Sequence, residues 1–291
     1  MRVAARAWAF AGLVFCLTAW PRTALPQDTA VLAPEASAAK ARELIQRSIQ
    51  AMGGTAYLEV KDITRTGRYS AIEHNGAVMG TLQITDLVKL PDKERLQYSY
   101  KIYYGLDAPG PFPIPMGKKG SSFEVRNGDT GWVLGAGGVV DMAADGLARI
   151  RLNRRKDIHL LFRTRLNDPA LAFRYTGQEV VDLKLVDGIE ITDADRFITR
   201  IAFEHSTHFP IRSIFQFRDP EFDNDRVEDR DYYGNYRPIQ GVMTALQILH
   251  EHNGYQTSQV FYETVKYNTG LSDSLFTRES LQQLSSKHGK E

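Results

Sequence analysis

The sequence predicts an α+β protein in which a strongly curved antiparallel sheet of roughly ten strands is covered on its apolar side by helices. Three observations carry this. One amphipathic helical pattern near the amino terminus gives way to period-two segments over most of the remaining length. Turn residues punctuate those segments at His74-Asn75-Gly76, Asn127-Gly128-Asp129, Asp187-Gly188, Phe209-Pro210 and Asn253-Gly254. A second helical pattern interrupts the strands between Ala143 and Asn167. So many antiparallel strands with one polar face must curve, so that the other face encloses apolar matter.

Residues 1–27 read as a secretory signal: Arg2 and Arg6 precede an uncharged run from Ala7 to Ala19, too short to span a bilayer, and Trp20-Pro21 breaks it. The single cysteine, Cys16, lies inside that run. Anchoring through it would put the bulky Phe15 where lipoprotein signals carry a small residue. With Cys16 removed, disulfides, thiolate nucleophiles and cysteine zinc sites are excluded together. Residues 28–291 read as a single domain, because no repeat occurs and no linker divides the strands.

The first helix is predicted over 35–52, with Ala38, Ala41, Leu44, Ile45, Ser48 and Met52 on one face and Gly53-Gly54 as its stop. Strands are then expected through 57–142. The clearest runs from Arg95 to Tyr104, where Leu96, Tyr98, Tyr100, Ile102 and Tyr104 alternate with polar residues. Four prolines between Gly105 and Gly120 make that segment an extended loop. The helical stretch over 143–167 carries Leu147, Ile150, Ile158, Leu161 and Phe162 and is closed by Asp168-Pro169. Strands resume over 171–268, with alternation at Val181, Leu183, Leu185, Ile189 and Ile191, at Ile201 and Phe203, and at Phe215 and Phe217. A short helix over 278–287 ends the domain.

Composition narrows the function. Hydrophobic residues are 43% and charged residues 24%, which supports a packed core, and a net charge of +1 lacks the footprint of a whole-domain nucleic-acid binder. His205-x-x-His208 and His250-x-His252 could suggest a metal, but Glu251 would face away from His250 and His252 on a strand, and surface histidines are the simpler reading. Seven acids between Asp219 and Asp231 lack the glycine of a calcium loop and read as a solvated hairpin tip. Arg149, Arg151, Arg154, Arg155, Lys156, Arg163 and Arg165 face only Asp157, which makes a solvated basic helix face or, with Arg151, Arg154 and Arg155, a cationic rim that attracts the anionic part of an amphiphile or a membrane surface. No nucleophile elbow, phosphate loop, zinc-protease motif or dinucleotide fingerprint is present, so no catalytic residue and no cofactor is assigned.

Several segments together resemble the bacterial outer-membrane lipoprotein-sorting superfamily, the periplasmic lipoprotein carriers and related sensors. They are the helix ending Gln50-Ala51-Met52-Gly53-Gly54, the run Asn127-Gly128-Asp129-Thr130-Gly131-Trp132, and the helix from Leu147 to Phe162. The carboxy-terminal part adds Tyr232-Tyr233, Tyr236, Gly241-Val242, Asn253-Gly254, Val265-Lys266-Tyr267-Asn268 and Leu271-x-Asp273-x-x-Phe276. The resemblance spans residues 38–277, with Ala245 where relatives often have proline. It implies a half-open β-barrel closed by helices, an apolar cavity for acyl chains, and no catalytic residue. The function expected is a periplasmic lipid or lipoprotein carrier, with a sensor or scaffold for an envelope protein as the alternative.

On that reading Leu96, Tyr98, Tyr100, Ile102, Leu183, Leu185, Ile201, Phe203, Phe215 and Phe217 line the cavity, where each buried methylene contributes about 0.8 kcal/mol. Phe112, Ile114 and Met116 form a lid or membrane contact beside Lys118 and Lys119. Replacing these three apolar residues with serine should weaken lipid transfer from vesicles and leave the thermal midpoint nearly unchanged. A loss of several degrees with normal transfer would make them core instead.

Overall fold

The computed structural model describes residues 32–99, 121–135, 137–219 and 225–288. Helix α1 (Pro34–Ala51) starts with proline in its first turn and Glu35 beside it, both favoured at a helix amino terminus. Ala41, Leu44, Ile45, Ser48 and Ile49 recur on one face and are buried. A one-turn helix, α2 (Thr55–Leu58), follows and carries Tyr57, so the chain from 57 onward does not begin as a strand.

The amino-terminal half of the sheet is a meander of β1 (Asp62–Ile72), β2 (Val78–Lys89), β3 (Lys93–Ser99), β4 (Ser121–Asn127), β5 (Thr130–Gly135) and β6 (Gly138–Asp141). Helices α3 (Ala144–Lys156) and α4 (Ile158–Thr164) intervene. The second meander is β7 (Ala172–Val181), β8 (Lys184–Thr192), β9 (Ile198–Glu204), β10 (Pro210–Asp219), β11 (Asp225–Ile239), β12 (Val242–His252) and β13 (Tyr255–Tyr267). A 3-10 turn (Asp273–Phe276) leads into α5 (Arg278–His288). The last strand pairs with the first, giving one curved antiparallel sheet in the order β6-β5-β4-β3-β2-β1-β13-β12-β11-β10-β9-β8-β7. It is unclosed: β6 and β7 stand at opposite ends.

Thirteen strands lie among the described residues, not roughly ten. The added ones lack apolar alternation: β5 and β6 are short, β7 is an edge with mostly exposed side chains, and β11 takes in Asp225, Glu228, Asp229 and Asp231 of the acidic run expected as a hairpin tip. The expected turn at Asp187-Gly188 is also corrected. Those residues lie inside β8, and the chain reverses at Asp182-Leu183, both with positive φ, as a two-residue hairpin turn requires. The single helix expected over 143–167 is two, because Asp157 adopts an extended ψ between them and its carboxylate accepts from the backbone N–H groups of His159 and Leu160.

Register defines the faces, since directly opposed residues share one. Ile63, Val88, Glu94 and Arg126 form one row across β1 to β4, and Arg65, Asp86, Leu96 and Glu124 the next. Toward the other end of this face, α1 and α4 bury Leu44, Ile45, Ile49, Ile158, Leu161 and Phe162 against Phe173, Ile189, Ile201 and Phe203. Helix α5 and its preceding turn cover the opposite face of β4 and β5, where Phe276 and Leu281 meet Phe123, Val125 and Leu134.

The two meanders meet at β1 and β13, where the register shifts between Thr66 and Gly67. A methyl group on Gly67 would overlap the Phe261 carbonyl. Gly67→Ala is therefore expected to cost about 1–3 kcal/mol of strain, lowering the thermal midpoint by roughly 2–4 °C per kcal/mol. Gly135→Ala, at a site with nothing nearby, should stay within about 0.5 kcal/mol of the parent. Thermal and urea denaturation of the two variants checks the contrast.

Candidate ligand cavity

Between the sheet and α3–α4 the chain leaves a cavity of about 590 Å³. Its roof follows from helical spacing. Arg149, Asn153 and Lys156 repeat at i, i+4, i+7 on α3, Ile150 and Arg154 form the next row, and both rows border the space, as does Asp157 just beyond the helix. His159, Leu160 and Arg163 of α4 continue it. Ile63, Val88, Val242 and Ile248 form apolar wall, with Tyr69, Tyr262 and Tyr267.

The floor is ionic. Arg65 pairs with Asp86, while Arg126 donates to Glu94 at 2.6 Å and to Glu124 at 2.8 Å. The Arg65 guanidinium also lies over the Tyr262 ring at 4.8 Å. Burial pushes the Asp86 carboxyl up to about 6 against the pull of Arg65. The Nε atoms of Arg65 and Arg126 and Oδ1 of Asp86 are buried without a hydrogen-bond partner among the described residues.

A second polar group closes the roof. Tyr57 Oη and His159 Nδ1 lie 2.9 Å apart, and the His159 ring meets Tyr57 and Tyr233 edge-on. Arg163 Nε donates to the Tyr57 carbonyl at 3.0 Å while its guanidinium lies over the Tyr57 ring. Across the cavity, His250 Nδ1 stands 2.5 Å from Asp231 Oδ1, its cross-strand neighbour, and His252 Nδ1 2.8 Å from Asp229. Asp229 also pairs with Lys156 at 3.1 Å. These acids of β11 thus hold the histidines of β12 and one cation of α3. Among the described residues, no cluster of three or more metal-ligating side chains occurs.

None of the described residues expected to line a cavity borders this one. Ile201 and Phe203 are fully buried under α4, where Phe203 stacks on Phe162. Phe215 and Phe217 stack with Phe197, and Arg155 caps that ring at 4.1 Å. Leu96 is buried and Tyr98 packs edge-on against Tyr69. Leu183 is 98% exposed because it sits in the hairpin turn, and Leu185 beside it is 45% exposed. Tyr100, Ile102, Phe112, Ile114 and Met116 lie outside the described residues, as do Cys16 and the rest of residues 1–27.

Of the three expected rim arginines, only Arg154 borders the cavity. Arg151 pairs with Asp129, and Arg155 with Asp193 and Asp195. Sequence patterning does not place Tyr57, Arg65, His159, Asp231 and His250 at the cavity, where the structure brings them together. The His250-x-His252 spacing was a signal for part of it. Nothing local marks Tyr57 and His159, which are 102 residues apart.

Half-buried at the cavity wall, His159 has its pKa held down to about 4 by removal from bulk water, a shift opposed by Asp157 and deepened by Arg163 and Arg65. The folded protein keeps it neutral. Its contribution to stability is complete above the ordinary value of 6.5 and is lost as pH falls toward about 4. Asp86 acts with the opposite sign, favouring the folded state as pH falls from about 6 toward 3.8. The parent should therefore show a flattened pH profile in this window. His159→Gln removes one of the two effects and should gain about 1–2 kcal/mol relative to the parent between pH 7 and 4.5, cavity water screening part of the full shift. Urea denaturation at the two pH values measures it, and a difference independent of pH would refute a neutral buried His159.

No protein-family model matches the chain, and no curated protein does. Solved structures do. A DUF1329 family protein from Desulfovibrio piger is 17% identical with a TM-score of 0.51, covering 84% of this chain and 99% of its own. A putative outer membrane lipoprotein-sorting protein domain from Vibrio parahaemolyticus shares 11% identity at the same TM-score and coverage. A LolA superfamily protein from Nitrosomonas europaea shares 14% identity with a TM-score of 0.50, covering 83% of this chain and 99% of its own. The likeness is one of architecture, and by it the chain has the LolA-type fold.

Proposed function

We propose that this chain is an exported, non-enzymatic carrier that holds the acyl part of a lipid or lipoprotein between its sheet and α3–α4. The observation that carries the reading is the space of about 590 Å³ that the side chains leave open. Ligand sites of roughly 300–1,000 Å³ are typical of small-molecule binding proteins. The apolar wall of Ile63, Val88, Val242 and Ile248 supplies burial for methylenes, and burial needs no specific polar contact. The shared fold with a lipoprotein-sorting domain and a LolA superfamily protein supports the same class. Export rests on the signal read from residues 1–27.

A second reading, a scaffold for an envelope protein, is favoured by the edge strand β7. Its Val180 is 68% exposed next to the fully exposed Leu183. Ser37 of α1 already bonds the backbone of this edge at Tyr175, so the segment left to accept a strand from another chain is the one that carries Val180.

Native mass spectrometry of gently purified protein should show co-purified lipid, or uptake of an added fatty acyl probe. A clean apo mass with no uptake counts against the carrier. A stoichiometric protein partner that survives delipidation in a pull-down from an envelope extract would favour the scaffold.

A further inference from the structure

We infer that the cavity selects an amphiphile with an anionic headgroup, carboxylate or phosphate, drawn by the rim cations Arg149, Arg154 and Arg163, while its chain lies along the apolar wall. This rests on the carrier reading and narrows its ligand.

The cations that border the cavity fall into two groups. Arg65, Arg126, Lys156 and Lys93 border the cavity, and each is already neutralised, by Asp86, by Glu94 and Glu124, by Asp229 and by Asp273. The three named arginines border the same cavity and form no ion pair among the described residues. Arg149 is exposed and has no partner there. Arg154 donates to the carbonyls of Gly128, at 2.6 Å, and of Asp92. Arg163 donates to the Tyr57 carbonyl. Carbonyl contacts orient a guanidinium without cancelling its charge.

The acids nearby do not cancel it either. The Asp157 carboxylate caps α4, Asp231 holds His250, and Asp92 borders the cavity without an ion pair to any of the three. Burial lowers the pKa of Arg154 against the opposing pull of Asp92, Glu94 and Asp129, none of which forms an ion pair with it, and an incoming anion offsets that cost. Guanidinium groups match oxyanions with two parallel N–H donors, so carboxylates and phosphates are the favoured class. Ile63, Val88, Val242 and Ile248 then take the chain, and the site becomes amphipathic in the same sense as its ligand.

Titration calorimetry on the full chain, with laurate, dodecyl phosphate, 1-lauroylglycerol and dodecyltrimethylammonium below their micellar concentrations, tests this. The two anionic probes should bind about tenfold or more tightly than the neutral and cationic ones. Arg149→Gln, which removes a side chain with no partner to lose, should weaken the anionic probes by about fivefold to tenfold. It should leave 1-lauroylglycerol binding and the thermal midpoint unchanged. Equal affinity for all four probes, unaltered by Arg149→Gln, would overturn the headgroup assignment while the carrier reading stands. Binding of none of them would sink the carrier reading itself. Inorganic phosphate binding as tightly as dodecyl phosphate would overturn the amphiphile and leave a free-anion site.

Discussion

One face of the sheet is apolar toward β7 and ionic toward β4, and that asymmetry governs where the helices can lie. Helix α1 and the buried side of α4 settle over Phe173, Ile189, Ile201 and Phe203, where removing apolar area from water is favourable. They cannot settle equally over Arg65, Asp86, Glu94, Glu124 and Arg126, because burying those charges under an apolar stripe would strip their hydration without replacing it. The helical cover therefore meets the ionic end with its own polar row, Arg149, Asn153, Arg154 and Lys156, and open space remains between them.

Holding that space open requires the sheet to behave as one piece, and the β1–β13 ladder joins its halves. Two devices support the joint. Gly67 lets the β13 backbone approach closely at the register shift. Asp62 accepts hydrogen bonds from the backbone N–H groups of Thr269, Gly270 and Leu271, which ties the chain leaving β13 to the start of β1. Burial pushes the Asp62 carboxyl up, yet those hydrogen bonds hold it below the usual carboxylate range. At the other end of the core, Met243 N–H donates to the Met52 carbonyl at 2.9 Å, fixing the end of α1 to β12.

A net charge of +1 conceals a strong local separation. Helix α3 is densely basic, while β11 alternates acids with arginines and turns Asp229 and Asp231 inward, and Lys156 with Asp229 is where the two elements meet. Exposed pairs such as Arg151 with Asp129 contribute little, about 0–1 kcal/mol. Their larger effect is to leave a defined remainder of cations on the cavity side.

Patterns confined to a few turns of chain were legible in the sequence. The amphipathic stripe of α1, the carboxy-terminal α5, and the alternation in β3, β9 and β10 all depend on side-chain period, which is set by local backbone geometry. Period names a face without saying what opposes it. Phe203 and Phe215 share the apolar alternation expected of a lining, yet Phe162 covers one and Phe197 the other. Strand β11 shows no apolar alternation because its inward positions include Asp229 and Asp231, which Lys156, His250 and His252 hold there. Those partners arrive from α3 and β12. Tyr57, His159 and Tyr233 likewise become one site only when α2, α4 and β11 are packed together. Sequence by itself determined the elements with a clear side-chain period and the sign of their faces; tertiary structure alone decided which faces are filled and which charges remain unpaired, because packing and ion pairing join residues whose separation along the chain carries no local signal.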